Sequence, residues 1–405
     1  MRLHRNIALG IASGLNETLI DKRPASDVIK KLLKSNPSWG SRDRRIIAKI
    51  FYDIIRQKRL IEGALGLEGN ESEAVPLNLI AGWMMLNDFA PPDWDEFQGI
   101  ESQKFNQTVN SLIKERKYKF SIPDWLDQMG IAAFGEHVWS KEIEALDQPA
   151  QLVIRVNRLL ISTVALKKLL QEKYQINTEK IHPYPDALIF DKHQSLQPIK
   201  EYRQGFFEVQ DANSQAITPW LKPQKGKYYI DACAGAGGKS LHLASLTNDE
   251  ARIMALDTNG LKLNELRKRA HRNQTESIET NCVIKSEILT TIKGNADGLL
   301  IDAPCSGLGV LKRNPDTKWL INPDRIQEII LMQEKILQTY CSLIKKGGLL
   351  VYATCSILPQ ENSQQIEKFL NSEQGRSFEI DEEKTYFSHK SGFDGFYCAR
   401  LIKKM

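Results

Sequence analysis

Two thiols and one carboxylate stand where the sequence implies strand ends. Leu299-Leu-Ile-Asp302 is an apolar run closed by a carboxylate, and Ala303-Pro-Cys-Ser-Gly307 follows it. Pro304 stops a ladder, and Gly307 and Gly309 let the chain turn over whatever sits at the strand end. Gly348-Leu-Leu-Val-Tyr-Ala-Thr354 repeats the design and runs into Cys355. If the two runs are parallel neighbours, Cys305 and Cys355 share the carboxyl edge of one sheet, where open α/β sheets bind ligands.

Free cysteines in α/β proteins are more often small hydrophobes than reagents. This pair differs by placement, because each lies just past a strand, precedes a serine and has a proline nearby. Cys282 and Cys341 fall inside an expected strand and helix and read as packing residues, and Cys398 lies in a terminal strand. Cys233 belongs to a glycine-rich turn, Asp231-Ala-Cys-Ala-Gly-Ala-Gly-Gly-Lys-Ser240, where a small side chain suffices.

In that turn Cys233, Ala234, Gly235, Ala236, Gly237, Gly238 and Lys239 are candidates to meet a ligand at a helix N-terminus. Asp257, at the next strand end, can take two ribose hydroxyls. A dinucleotide fingerprint would need glycine where Ser240 stands. A P-loop would need glycine where Cys233 stands, so Gly238-Lys-Ser240 is a misleading match to an ATP site. A nucleoside without pyrophosphate, such as S-adenosylmethionine, suits the loop better.

A reaction that needs two thiols beside a methyl donor is methylation of a pyrimidine at C5. A thiolate adding to C6 makes C5 nucleophilic enough to attack the sulfonium methyl, and a base then removes the C5 proton. A free thiol titrates near about 8.5, so such a nucleophile needs a local charge or helix end. The target base must also be swung out of its stack. The expected arrangement puts the two sulfurs on opposite sides of one ring.

Three regions must position these groups. Residues 1–147 read as helices: Ser26 and Ser41 are candidate caps, and Ile46, Ile47, Ile50, Phe51, Ile54 and Ile55 form one apolar face. Arg42, Arg45, Lys49, Arg56 and Arg59 fall opposite, as either a phosphate-tracking stripe or a solvated face. Residues 148–218 read as a small α+β module. From 219 to 405 strands and helices alternate, predicting an α/β fold with a doubly wound, mostly parallel sheet.

The net charge is +5, yet residues 1–62 carry 14 Lys/Arg against 6 Asp/Glu, which favours a polyanionic partner for the N-terminal part. No apolar run approaches a membrane span, and no Cys/His spacing suggests zinc. A cytoplasmic, reduced, monomeric protein without metal or membrane attachment is the expectation.

Asp302-Ala-Pro-Cys-Ser-Gly307 with Arg313-Asn-Pro-Asp-Thr-Lys-Trp319, Ala353-Thr-Cys-Ser356 with Glu361-Asn362, and Asp394-Gly-Phe-Tyr397 together resemble the RsmB/Nop/Sun RNA (cytosine-5) methyltransferases. The likeness runs from Arg155-Val-Asn157 and Val209–Gln215 to the C-terminus. It implies a Rossmann-like S-adenosylmethionine-dependent methyltransferase domain, Cys355 as nucleophile and Cys305 assisting release of the product. It also implies Asp302 against cytosine or cofactor, and Lys239 and Asp257 lining the cofactor site. Lys312 and Arg313 become RNA-contact candidates, and the 148–218 module looks ferredoxin- or RRM-like. The helical part is similar to the NusB-like domain of the RsmB branch, which methylates small-subunit (16S) ribosomal RNA; Asp43-Arg-Arg45 carries that similarity.

Two departures stand out. The family loop reads C-A-A-P-G-G-K, and Gly235 and Ala236 here imply a looser backbone. The usual aspartate after the third strand is replaced around Ser286-Glu287, leaving Glu287 to reach the adenine. The alternatives are a transfer RNA cytosine-C5 methyltransferase and a non-catalytic RNA-binding or ribosome-assembly factor.

Overall fold

The structure, a computed structural model, describes residues 3–69, 75–283 and 287–404. The chain forms two compact units, Met1–Gln148 with Val310–Arg325, and Pro149–Gly309 with Ile326–Met405.

The first unit is helical. Its longest helix, Ser41–Leu65, starts at Gly40, whose amide donates to Asp43 Oδ2 at 3.2 Å, and ends on Gly66 with φ of 67°. Ser41 is thus the first helical residue, and Pro24 takes the cap position expected of Ser26. Ile47, Ile50, Phe51, Ile54 and Ile55 are fully buried against Arg5–Leu19 and Val75–Leu86.

Residues 310–325, assigned from the sequence to the catalytic domain, belong to this helical unit. Trp319 Nε1 donates to the Ile55 carbonyl at 2.7 Å, and Asp316 accepts the Ala25 amide at 2.9 Å. The buried Lys318 ammonium donates to the carbonyls of Arg56 (2.9 Å) and Phe120 (3.1 Å). Its pKa falls to about 8 because burial outweighs the nearby Asp147 carboxylate. Three residues of one short segment therefore serve as anchors in a helical core.

The second unit holds both sheets. Strands β1 (Val153–Val156), β2 (Thr178–Ile181), β3 (Tyr184–Phe190) and β4 (Phe207–Val209) form a four-stranded antiparallel sheet in the order 2-3-1-4. The helix Thr163–Tyr174 begins at Ser162, whose hydroxyl caps the Ala165 amide, and buries Leu166 and Leu170 on that sheet.

The larger sheet comprises β5 (Tyr228–Asp231), β6 (Arg252–Asp257), β7 (Ile278–Cys282), β8 (Ala296–Asp302), β9 (Ile344–Thr354), β10 (Phe378–Tyr386) and β11 (Phe396–Lys403). Their order is 10-11-9-8-5-6-7, with β9-8-5-6-7 parallel and β10 and β11 antiparallel. The reversal of order between β5 and β8 opens the ligand crevice of such folds. β7 ends at Cys282, and the sequence expectation for Ile284 and Ser286 lies outside the described residues. Among the described residues no helix is long and apolar enough to cross a membrane.

Candidate active site

β8 and β9 pair in parallel with Asp302 opposite Ala353, so their following loops leave the sheet side by side. Cys305 and Cys355 sit in those loops with their Sγ atoms 3.2 Å apart, and both are half-buried. Neither lies in an apolar interior. A ring held between two sulfurs would need about 7 Å, twice an ordinary van der Waals separation. The opposite-face arrangement expected from the sequence is therefore corrected: the thiols touch each other, and a base must approach them from one side or part them.

The two loops are tied at their bases by one carboxylate that the sequence reading left without a role. Glu361 is fully buried. It accepts the Ser306 amide (2.8 Å) and hydroxyl (2.5 Å), the Ser356 hydroxyl, and Gln333 Nε2 at 3.1 Å. Ser306 and Ser356 each follow a cysteine, so this knot sets the spacing of the sulfurs. Gly309 closes the same region: its amide donates to the Cys355 carbonyl at 2.9 Å, and its carbonyl accepts the Gly395 amide at 2.6 Å. A Cβ on Gly309 would meet Gly395 O at 2.2 Å, so no side chain fits there.

Lys239 supplies the local cation. It is buried, and its ammonium donates to Asp302 at 2.5 Å. Burial pulls its pKa down, but Asp302 and then Cys355 raise it overall, so the group stays charged beside the thiol. The Cys305 thiol is held well above the ordinary range, first by its hydrogen bond with Cys355 and then by removal from water. It rests as a thiol and can pass its proton to the neighbouring sulfur. Burial among Asp231, Asp302 and Asp257 likewise pushes up the Cys233 thiol, which is inert as a nucleophile.

The glycine turn follows β5 and opens the helix Gly238–Leu246. Gly235 (φ 54°) and Gly237 (φ 84°) adopt left-handed backbone. At Gly237 a Cβ would lie 1.9 Å from Leu266 Cδ1, so the close approach is to the neighbouring helix. The turn is not loose, which corrects the sequence expectation: the Gly235 amide donates to Asp257 Oδ2 at 2.8 Å and Ala236 O accepts Arg269 Nη1 at 2.7 Å. Asp257 Oδ1 also accepts the Asn259 amide at 2.7 Å. Each carboxylate oxygen retains a further lone pair for a hydroxyl. Lys239 and Ser240, which mimic a P-loop ending, instead bond to Asp302 and Asp231. Ala234 is buried, Ala236 and Gly238 are half-buried, and Glu287 is exposed at the start of a short helix.

The basic stripe does not persist as one surface. Arg42, Arg45 and Lys49 are exposed, and Lys49 pairs with Asp53. Arg56 donates to the carbonyls of Asp147 (2.8 Å) and Lys312 (2.9 Å), and Arg59 to that of Ile122 (2.6 Å) with Asp124 at 3.0 Å. These two guanidiniums hold the helical unit together, because interior carbonyls at helix ends need donors. Lys312 is buried and Arg313 half-buried, so Lys312 does not offer a free cation to RNA.

A parallel Rossmann-like sheet with a glycine turn, a strand-end carboxylate and reactive groups at its carboxyl edge defines a methyltransferase. Residues 218–402 match the family model described as 16S rRNA methyltransferase RsmB/F, and residues 122–197 match the RsmF/B-like ferredoxin-like domain. The chain is 33% identical to the ribosomal RNA small subunit methyltransferase B of Escherichia coli O6:K15:H31, over 100% of both chains. Its counterpart in Cronobacter sakazakii is 28% identical, over 97% of this chain and 98% of that one. Among solved structures, PH0851 superposes over 100% of both chains (TM-score 0.81, 21% identity). NSun6 from Pyrococcus horikoshii with SFG covers 70% of this chain and 98% of its own (TM-score 0.63, 20% identity). The chain belongs to the RsmB/F family of ribosomal RNA methyltransferases, and S-adenosylmethionine is its methyl donor.

Proposed function

We propose that this protein methylates C5 of a cytosine in small-subunit ribosomal RNA, with Cys355 as the nucleophile and Cys305 as its acid–base partner. The observation that carries the reading is the 3.2 Å contact between the two sulfurs at the carboxyl edge of β8 and β9.

Addition of the Cys355 sulfur to C6 turns the ring into an enamine, and C5 then takes the methyl group from the sulfonium. In the elimination Cys305 gives its resting proton to the departing Cys355 sulfur and takes the C5 proton in exchange. The C5–H pair restores the double bond, the sulfur leaves with the pair of its C6 bond, and Cys305 ends as the thiol it began as. Lys239 lies beside Asp302 and Cys355, where it favours a sulfur anion and holds the Asp302 carboxylate toward the cytosine or cofactor. Gly235 and Gly238 let backbone approach the cofactor, and Asp257 takes its ribose. Arg42 and Arg45 remain exposed for phosphate contact.

The decisive test is to map 5-methylcytosine in total RNA from cells lacking the protein. One small-subunit ribosomal position should lose its methyl group and regain it when the purified enzyme and S-adenosylmethionine are added. Loss confined to transfer RNA, or methylation at another base atom, would overturn the proposal.

A further inference from the structure

A second cavity in the Pro149–Gly309 and Ile326–Met405 unit, about 690 Å³ in volume, lies apart from the thiols. It opens between β3, the later part of the helix Gly238–Leu246 and the end of β10. Tyr184, Trp220, Tyr386 and Phe387 provide aromatic lining. Lys384 and Lys390, both exposed, stand at ring faces, with ammonium groups 4.8 Å from the Tyr386 centroid and 5.3 Å from that of Phe387.

We propose that this cavity receives an unstacked nucleotide of the RNA substrate. The aromatic rings supply the stacking faces by which single-stranded RNA is held, and the two lysines supply the phosphate contact. The cavity is joined to the thiols through one connection, residues 387–395. Phe387, Lys390 and Ser391 of that connection line the cavity, and Gly395 at its far end bonds to Gly309, which in turn bonds to Cys355 O. A nucleotide seated there would position the strand whose cytosine enters the catalytic site. The inference rests on the ribosomal RNA reading above.

The test compares methyl transfer to an unmodified small-subunit ribosomal RNA transcript by the full-length wild type, Lys384→Glu/Lys390→Glu, and the control Lys167→Glu/Lys168→Glu. The control reverses two exposed lysines on the helix Thr163–Tyr174, away from the cavity lining. The cavity variant should raise KM for RNA about tenfold with kcat and S-adenosylmethionine affinity unchanged, while the control changes KM less than about twofold. Photocrosslinking to a 4-thiouridine-substituted transcript should yield adducts on the 384–391 peptide in the wild type. Equal KM in wild type and cavity variant, equal losses in cavity variant and control, or no adduct on that peptide would each overturn the inference. Absence of transfer by the wild type would instead defeat the catalytic reading.

Discussion

Cys305 and Cys355, fifty positions apart in the chain, hold their sulfur atoms 3.2 Å from each other because β8 and β9 are parallel neighbours in register. The contact makes each thiol part of the other's environment. Variants at the two positions should therefore fail in different ways.

Cys355→Ala removes the atom that bonds to C6. Methyl transfer should fall below detection, and no protein–RNA adduct should survive denaturing electrophoresis. Cys305→Ala leaves addition intact but slows expulsion, so an adduct resistant to detergent should accumulate when RNA and S-adenosylmethionine are both present. Turnover by Cys355→Ala within tenfold of wild type would remove that residue from the mechanism.

Glu361→Gln places an amide donor where Ser306, Ser356 and Gln333 all donate. At least one buried donor is then left without an acceptor, at a cost of about 1–3 kcal/mol. The expected result is a kcat at least tenfold lower, little change in S-adenosylmethionine affinity by calorimetry, and a Tm lowered by several degrees. Glu361→Ala should be worse in both respects.

Lys318 is the ammonium around which residues 310–325 join the helical unit, with Asp147 Oδ1 at 3.7 Å. Removing it in Lys318→Ala strands two carbonyls and a half-buried carboxylate. A loss of about 3 kcal/mol is expected in denaturant unfolding. Lys318→Met, which keeps the volume and also loses the charge, should recover part of the packing but not the hydrogen bonds.

Asp231 is buried with only the Ser240 hydroxyl as a bonded partner, and desolvation raises its pKa to about 6. A raised carboxyl pKa stabilises the fold fully below the unfolded value near about 4, and this contribution disappears as pH rises through about 6. Asp231→Asn cannot titrate. Its stability relative to wild type should therefore improve between pH 4 and pH 8, by on the order of 2 kcal/mol. Thermal melts of both proteins across that range provide the check; a constant difference would mean that Asp231 does not titrate there.

The alternation of apolar strands and amphipathic helices from Gly226 onward, and the two cysteines just past strand ends, could be read from local pattern alone. A strand needs only a short apolar run and a breaker, and both are written in consecutive residues. The helix Thr163–Tyr174 and the strand Phe396–Lys403 begin and end where their periodicity and flanking residues indicate.

The tertiary structure decided what depends on partners distant in the chain. Five basic residues at helical spacing look alike in sequence, yet Arg56 and Arg59 bond to carbonyls in other segments while Arg42 and Arg45 face solvent. The Arg313–Trp319 motif lies between two catalytic-domain segments, but its burial assigns it to the helical unit. Glu361 stood in the sequence as part of a family-like motif with no role assigned, and its role follows from four donors that converge on it. Local periodicity sets which residues are apolar and where elements stop; which polar atoms meet is set by packing, and hydrogen bonds act over about 3 Å regardless of sequence distance.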